Sequence, residues 1–178
     1  MLDVVADDFT ELARRVSERC RLTGEFSLRS GQTATTYFDK YLFEGDPDIL
    51  REVAKLMAPL VPTGTQVLAG LELGGVPVAT ALSLATSLPA AFVRKEPKAY
   101  GTAKLAEGAD IDGKRVLVVE DVITTGGQVV SSTADLRQRG AIVSDVLCVI
   151  DRSGGDHSRL SDISLQVRSL FNRSDLEA

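Results

Sequence analysis

The chain has 178 residues, 44% of them hydrophobic, with a formal net charge of −5 and a sequence pI of ≈ 5.0. That length is enough for one domain with a full core. The acidic balance lacks the basic face of a nucleic-acid binder, no apolar run reaches the roughly 18 residues of a membrane span, and the N-terminus has no signal-peptide pattern.

Cys20 and Cys148 fall in apolar-periodic segments and read as buried free thiols. His157 is the sole histidine and no cysteines cluster, which argues against zinc. Cytoplasmic residence is the expectation.

Residues 8–21 carry Phe9, Leu12, Ala13, Val16 and Cys20 at helical spacing, with Asp8 and Glu11 as a capping box and Gly24 as the stop. Short strand-like pieces follow at 26–28 and 37–41, separated by a polar stretch. Pro47 opens a helix over 47–58. From Gln66 the rhythm becomes βαβ: strand 67–70, helix 76–87, strand 90–94. Residues 95–108 are polar and glycine-bearing and read as a loop. Strand 115–120, helix 128–139 with Gly140 as its stop, strand 142–150 and strand 164–170 complete the chain.

The pattern predicts an α/β fold with a mostly parallel central sheet flanked by helices. Residues 1–178 form a single domain, in which 1–45 make a small N-terminal hood and 46–178 the α/β core. In such sheets ligands bind at the carboxyl ends of the strands, where Gly70, Arg94, Glu120 and Asp151 are expected to converge.

The most informative segment is 116–128. Val116 to Val119 suit a strand buried on both faces, and Glu120 and Asp121 follow where it should end. Thr124, Thr125, Gly126 and Gly127 then lead into a helix. Free N–H groups at a helix N-terminus, close-approaching glycines and threonine hydroxyls make an anion site. The two acids would repel a bare phosphate but accept hydrogen bonds from a vicinal diol, so the local reading is a ribose-phosphate site. It is not a Walker loop, because no Gly-Lys-Ser/Thr follows the glycines. A second signal is Arg94-Lys95-Glu96-Pro97-Lys98, three cations in five positions just after a strand, suited to a polyanionic leaving group.

The 120–128 segment resembles the signature of the phosphoribosyltransferases, which bind phosphoribosyl pyrophosphate (PRPP). Arg-Lys-Glu-x-Lys followed by a glycine resembles the catalytic loop of the family's orotate branch. Phe26-Ser27-Leu28-Arg29-Ser30-Gly31 and Tyr37-Phe38-Asp39 resemble its hood, and Asp151-Arg152-Ser153-Gly154-Gly155 its strand-end aspartate-arginine turn. The match runs in one order from about residue 25 to 155.

The resemblance implies transfer of phosphoribose from PRPP to N1 of orotate, giving orotidine 5′-phosphate and pyrophosphate in pyrimidine biosynthesis. It implies Lys98, Glu120 and Asp121 as catalytic residues, the two acids on the ribose diol. Val122, Ile123, Thr124, Thr125, Gly126, Gly127 and Gln128 would surround the 5′-phosphate, and Arg94, Lys95, Lys98 and Tyr100 the pyrophosphate. Thr124, Arg152, Arg29, Tyr37 and Phe38 would meet orotate, with Arg152 on its carboxylate. Mg²⁺ is the implied cofactor, carried mainly by PRPP rather than by protein ligands. A homodimer is implied in which loop 95–108 reaches the neighbouring site. Nucleic acid and membrane are not expected partners.

Two departures stand out. Tyr100 replaces a frequent histidine, and Leu73-Gly74 replaces the tyrosine-lysine pair of some relatives, leaving backbone N–H groups to bind there. The resemblance also implies a non-proline cis peptide near Glu72–Leu73. Alternatives are a phosphoribosyltransferase for another base, such as a purine, and a PRPP-sensing regulator without turnover. Arg152 and the hood favour a carboxylated pyrimidine over the first, and Lys95 with Lys98 argues against the second. Residues 172–178 suggest no role.

Overall fold

The computed structural model describes residues 2–27, 31–96 and 105–177, with side chains from Asp8 onward. Helix α1 (Leu2–Cys20) leads into the antiparallel hairpin β1 (Arg21–Ser27) and β2 (Thr33–Phe38). A short α2 (Tyr41–Glu44) and helix α3 (Pro47–Met57) follow. Then come β3 (Val67–Leu71), α4 (Gly75–Thr86), β4 (Ala90–Val93), β5 (Ala106–Gly108), β6 (Arg115–Ile123) and α5 (Gly127–Gln138). Strand β7 (Ile142–Asp151), a one-turn α6 (Ser158–Ser161) and β8 (Gln166–Asn172) finish the chain, with a 3-10 turn at Ser174–Leu176.

Six strands form one sheet in the order β5-β4-β3-β6-β7-β8, all pairs parallel except β4 with β5. Neighbouring residues of a strand feed opposite faces, so each strand serves two cores. Leu68, Leu117, Val119 and Leu147 pack with α1, α3 and α4 residues such as Val16, Val53, Met57 and Leu82. Val67, Ala69, Val118 and Val146 pack on the other face with Val129, Leu136 and Leu160. Burial on both faces is why Val116–Val119 reads as an unbroken apolar run. Among the described residues no helix is long and apolar enough to cross a membrane.

The start of α3 has a local cause. The Asp46 side chain accepts hydrogen bonds from the Asp48 and Ile49 N–H groups, at 3.1 and 3.2 Å, and Pro47 occupies the first turn, which fixes the start of α3.

Several expectations need correction. Helix α1 begins at Leu2, so Asp8 lies inside it and caps nothing, while Glu11 pairs with Arg14 at 2.7 Å. No glycine or proline interrupts residues 2–8, and the helix therefore propagates through them. Gly24 does not end a helix. It sits in β1 at a register shift between Thr23 and Phe26, the irregularity a strand glycine often marks. The second strand piece is Thr33–Phe38, and residues 41–44 turn into α2 instead of extending it. The stretch 95–108 is not all loop, since Ala106–Gly108 returns as β5 against β4. Strand β6 continues past Glu120 to Ile123, because Val122 and Ile123 keep pairing with Ile150 and Asp151 of β7. Residues 97–104 lie outside the described residues.

Candidate active site between strands β3 and β6

The chain runs from β3 outward to β4 on one side and from β6 outward to β7 on the other. The sheet order therefore reverses between β3 and β6, the place where open α/β sheets bind ligands. The last β3–β6 rung pairs Gly70 with Val119. Glu120 and Asp121 come next on β6, beyond the end of that pairing.

Loop 71–74 folds back over these acids because three glycines let it. A Cβ on Gly70 would lie 2.5 Å from the Gly75 carbonyl oxygen, and one on Gly75 would lie 2.4 Å from the Val119 oxygen. A Cβ on Gly74 would lie 1.8 Å from Asp121 Oδ2 and 2.8 Å from Glu44 Oε1. The Glu72–Leu73 peptide is cis, as the resemblance implies. The Lys95 N–H donates to Glu72 Oε1 at 2.9 Å, which ties the cation-bearing segment to the same loop.

Asp121 is 0% exposed. Its Oδ1 accepts from the Val122 N–H at 2.7 Å, and Lys40 Nζ forms an ion pair with Oδ2. Burial works against the Lys40 charge, but pairing with Asp121 outweighs it and raises the ammonium pKa. Glu120 keeps some exposed surface. Burial and the neighbouring Asp121 charge push its carboxyl up to about 8, against the pull of Lys40 and Lys95.

Past β6, Thr124 and Thr125 are exposed, and Gly126 takes φ 71° before α5 begins. That left-handed turn starts α5 with no side-chain cap, leaving its first N–H groups without a helix partner. Gln128 Nε2 donates to Ser132 Oγ at 3.1 Å and lies along the helix. Val122 is half-buried and Ile123 buried, and the Val122 N–H is taken by Asp121 and the Ile123 carbonyl by the Arg152 N–H.

The β7 end supplies a third wall. The Arg152 N–H donates to the Ile123 carbonyl at 2.8 Å, and its guanidinium sits 5.7 Å from the Phe38 ring centroid. Asp151 is buried, which favours its neutral form. Hydrogen bonds from Ser153 and from His157 Nε2, the latter at 2.7 Å, prevail and lower its pKa. A cleft of ≈ 520 Å³ between the hairpin and the C-terminus is lined by Arg21, Tyr37, Phe38, Arg152, Arg173 and Glu177. Among the described residues no group of three or more His, Cys, Asp or Glu is placed to hold a metal ion.

Residues 43–168 match the family model of the phosphoribosyl transferase domain. An orotate phosphoribosyltransferase of Nocardioides sp. is 55% identical over 94% of this chain and 93% of its own length. The chain belongs to the orotate phosphoribosyltransferase family. The orotate phosphoribosyltransferase of Methanocella arvoryzae is 42% identical over 86% of the chain and 87% of its own. Among solved structures, the Mycobacterium tuberculosis H37Rv enzyme in complex with PRPP superposes with a TM-score of 0.82 at 31% identity, covering 96% of this chain and 99% of that one. The same enzyme in complex with Fe(III) dicitrate gives a TM-score of 0.87 at 34% identity, over 96% and 99%.

Within this orotate phosphoribosyltransferase fold, Glu120 and Asp121 adjoin on β6 with the Lys40 and Lys95 charges acting on Glu120, and Thr124 to Gln128 follow directly, whereas Arg152 and Phe38 line the cleft beside the hairpin. Arg94 faces elsewhere: its Nε is 3.7 Å from Glu107 Oε1 on β5. Tyr37 stacks on Phe26 with ring centroids 5.5 Å apart. Arg29, Lys98 and Tyr100 lie outside the described residues. Sequence reasoning missed Lys40, Glu44, Glu107 and His157. Lys40 and Glu44 stand four apart, a spacing that ordinarily signals a surface ion pair on a helix, yet both turn to Asp121.

Proposed function

We propose that this site transfers the phosphoribosyl group of PRPP to N1 of orotate, giving orotidine 5′-phosphate and pyrophosphate for pyrimidine synthesis. The bond from C1′ to the pyrophosphate oxygen breaks, its electron pair leaving with pyrophosphate, and the C1′–N1 bond forms. The observation that carries the reading is the pair of acids past the last β3–β6 rung, with a glycine loop on one side and the α5 N-terminus on the other.

Glu120 accepts from the ribose diol. Asp121, expected to share the diol, is enclosed behind Glu120 with both oxygens engaged and instead adds negative charge where the ribosyl group becomes cation-like. Thr124, Thr125, Gly126, Gly127 and the first N–H groups of α5 hold the 5′-phosphate, with Val122 and Ile123 contributing backbone. Backbone of 71–74 and the cations Lys95 and Lys98 meet the pyrophosphate, with Tyr100 as a further hydrogen-bond donor. Arg94 joins them only by leaving Glu107. Thr124 and Arg152 fix orotate, the latter through its carboxylate, with Phe38, Tyr37 and Arg29 on the hood side.

With no ligand cluster among the described residues, Mg²⁺ would be held mainly by PRPP's own oxygens. It supplies charge neutralisation of the pyrophosphate when bound. The same reading takes residues 1–178 as one unit whose 1–45 segment forms the hood, pairs two copies into a dimer, and places the protein in the cytoplasm, where Cys20 and Cys148 stay as buried thiols.

The test is loss of orotate absorbance on adding PRPP and Mg²⁺, with adenine, hypoxanthine and uracil run in parallel. Orotate alone should be consumed. Turnover of a purine instead, or of nothing, rejects the assignment.

A further inference from the structure

Glu44 ends α2 with 8% of its surface exposed, and its Oε1 is buried without a hydrogen-bond partner of ordinary donor type. That oxygen and Asp121 Oδ2 converge on the space above Gly74, where a Cβ would lie 2.8 Å from one and 1.8 Å from the other. The two carboxyl oxygens therefore lie within 4.6 Å of each other, the sum of those two distances. Two acceptor oxygens so placed repel unless one carries a proton, in which case they share a short, strong hydrogen bond.

The groups facing Glu44 are Asp121 and Glu120 from β6, Lys40 from the turn before α2, and the Cys20 thiol at the end of α1. Gly74 brings no side chain. With every carboxyl ionised, three negative charges would meet the Lys40 ammonium in an enclosed space, with Lys95 acting only on Glu120. One proton between Glu44 and Asp121 leaves Asp121 gripped on Oδ2 by an acid and an ammonium, and on Oδ1 by its neighbour's N–H.

We propose that Glu44, as a neutral carboxylic acid, and Lys40 are positioning residues that pin the Asp121 carboxylate beneath the glycine loop and so set the loop and Glu120 for PRPP. This rests on the transfer reading given above. Burial, the hydrogen bond to Asp121 and the adjacent negative charge raise the Glu44 pKa well above the ordinary carboxylate range, with Lys40 opposing, in keeping with that state. Loss of the proton at alkaline pH would set two carboxylates against each other and displace the floor of the loop.

The decisive comparison is Glu44→Gln against Glu44→Ala and Lys40→Met. Glutamine keeps the size and a donor but cannot ionise. In kcat/KM for PRPP against pH, Glu44→Gln should move the alkaline limb to higher pH. Glu44→Ala and Lys40→Met, each losing a hydrogen bond to a charged group, should raise the PRPP KM by about tenfold or more with the orotate KM little changed. An alkaline limb identical in wild type and Glu44→Gln, or a normal PRPP KM in Lys40→Met, overturns the proposal. Infrared difference spectroscopy of the ligand-free protein gives a readout independent of transfer. A protonated-carboxyl C=O band that is missing from Glu44→Gln should be present near neutral pH, separate from any band of Glu120, whose own carboxyl is pushed up to about 8 and which remains in the variant. No such band in the wild type sinks the positioning role even if orotate is turned over. Its presence sustains the role even if another base proves to be the substrate.

Discussion

Gly74 stands where no side chain fits, because Asp121 and Glu44 oxygens fill the space its Cβ would take. Asp121 cannot swing aside without giving up both Lys40 and the Val122 N–H. Gly74→Ala should therefore cost about 1–3 kcal/mol by overpacking, seen as a lower urea midpoint, and should raise the PRPP KM by displacing the loop. Gly127→Ala, whose nearest neighbour would be Thr125 Oγ1 at 3.9 Å, is the stability control and should keep the wild-type midpoint. Equal stability of the two variants would show that the loop yields freely. For Arg152, removing the guanidinium leaves a substrate carboxylate without its charged partner. Arg152→Ala should raise the orotate KM by roughly tenfold or more, with a smaller change in the PRPP KM. An unchanged orotate KM takes Arg152 out of the pocket. At this scale the sequence disclosed what is contiguous. Glu120 to Gln128 form one run whose chemistry can be read in order. Lys40 and Glu44 act on an aspartate some eighty residues away, and Glu107 meets Arg94 across a strand too short to recognise, so only folding brings these partners together.

At the scale of elements, β6 carries the site and joins the two cores. Leu117 packs toward α1, α3 and α4 while Val118 packs toward α5, so the strand is clamped from both faces three residues before Glu120. Leu117 is 1% exposed. Leu117→Ala should lower unfolding free energy by about 2–5 kcal/mol, measured as a shift in urea midpoint with unchanged slope. A loss well below that range would mean the α1–α3–α4 layer closes over the gap. The apolar runs of β3, β6 and β7 were legible because burial on two faces leaves no other composition. The hairpin β1–β2 was less so: most of its residues are exposed, and polar residues with a glycine at the irregularity carry little periodicity. The start of α1 was hidden for a related reason. Helix propagation needs only the absence of breakers, and residues 2–7 contain none. Strand β5 has three residues and exists by pairing with β4.

At the scale of the whole molecule, the open question is which copy of the chain completes each site. In the proposed dimer, the 95–108 segment leaves β4 at the sheet's carboxyl edge and its Lys98 serves the partner's PRPP. That arrangement has a consequence that a segment closing over its own site does not. Lys98→Ala and Glu120→Ala should each lose about 10²–10³-fold in turnover, the usual cost of one transition-state contact. When the two inactive variants exchange subunits, a mixed dimer has one site with Glu120 from the first chain and Lys98 from the second, both intact. Its other site lacks both. At equal amounts about half of a two-fold dimer population is mixed and half of its sites are rebuilt, so about a quarter of wild-type turnover should return. The measurement is orotate consumption after verified subunit exchange, with each variant alone as the baseline. If Lys98 instead serves its own chain, every site in the mixture lacks one residue and activity stays at the baseline.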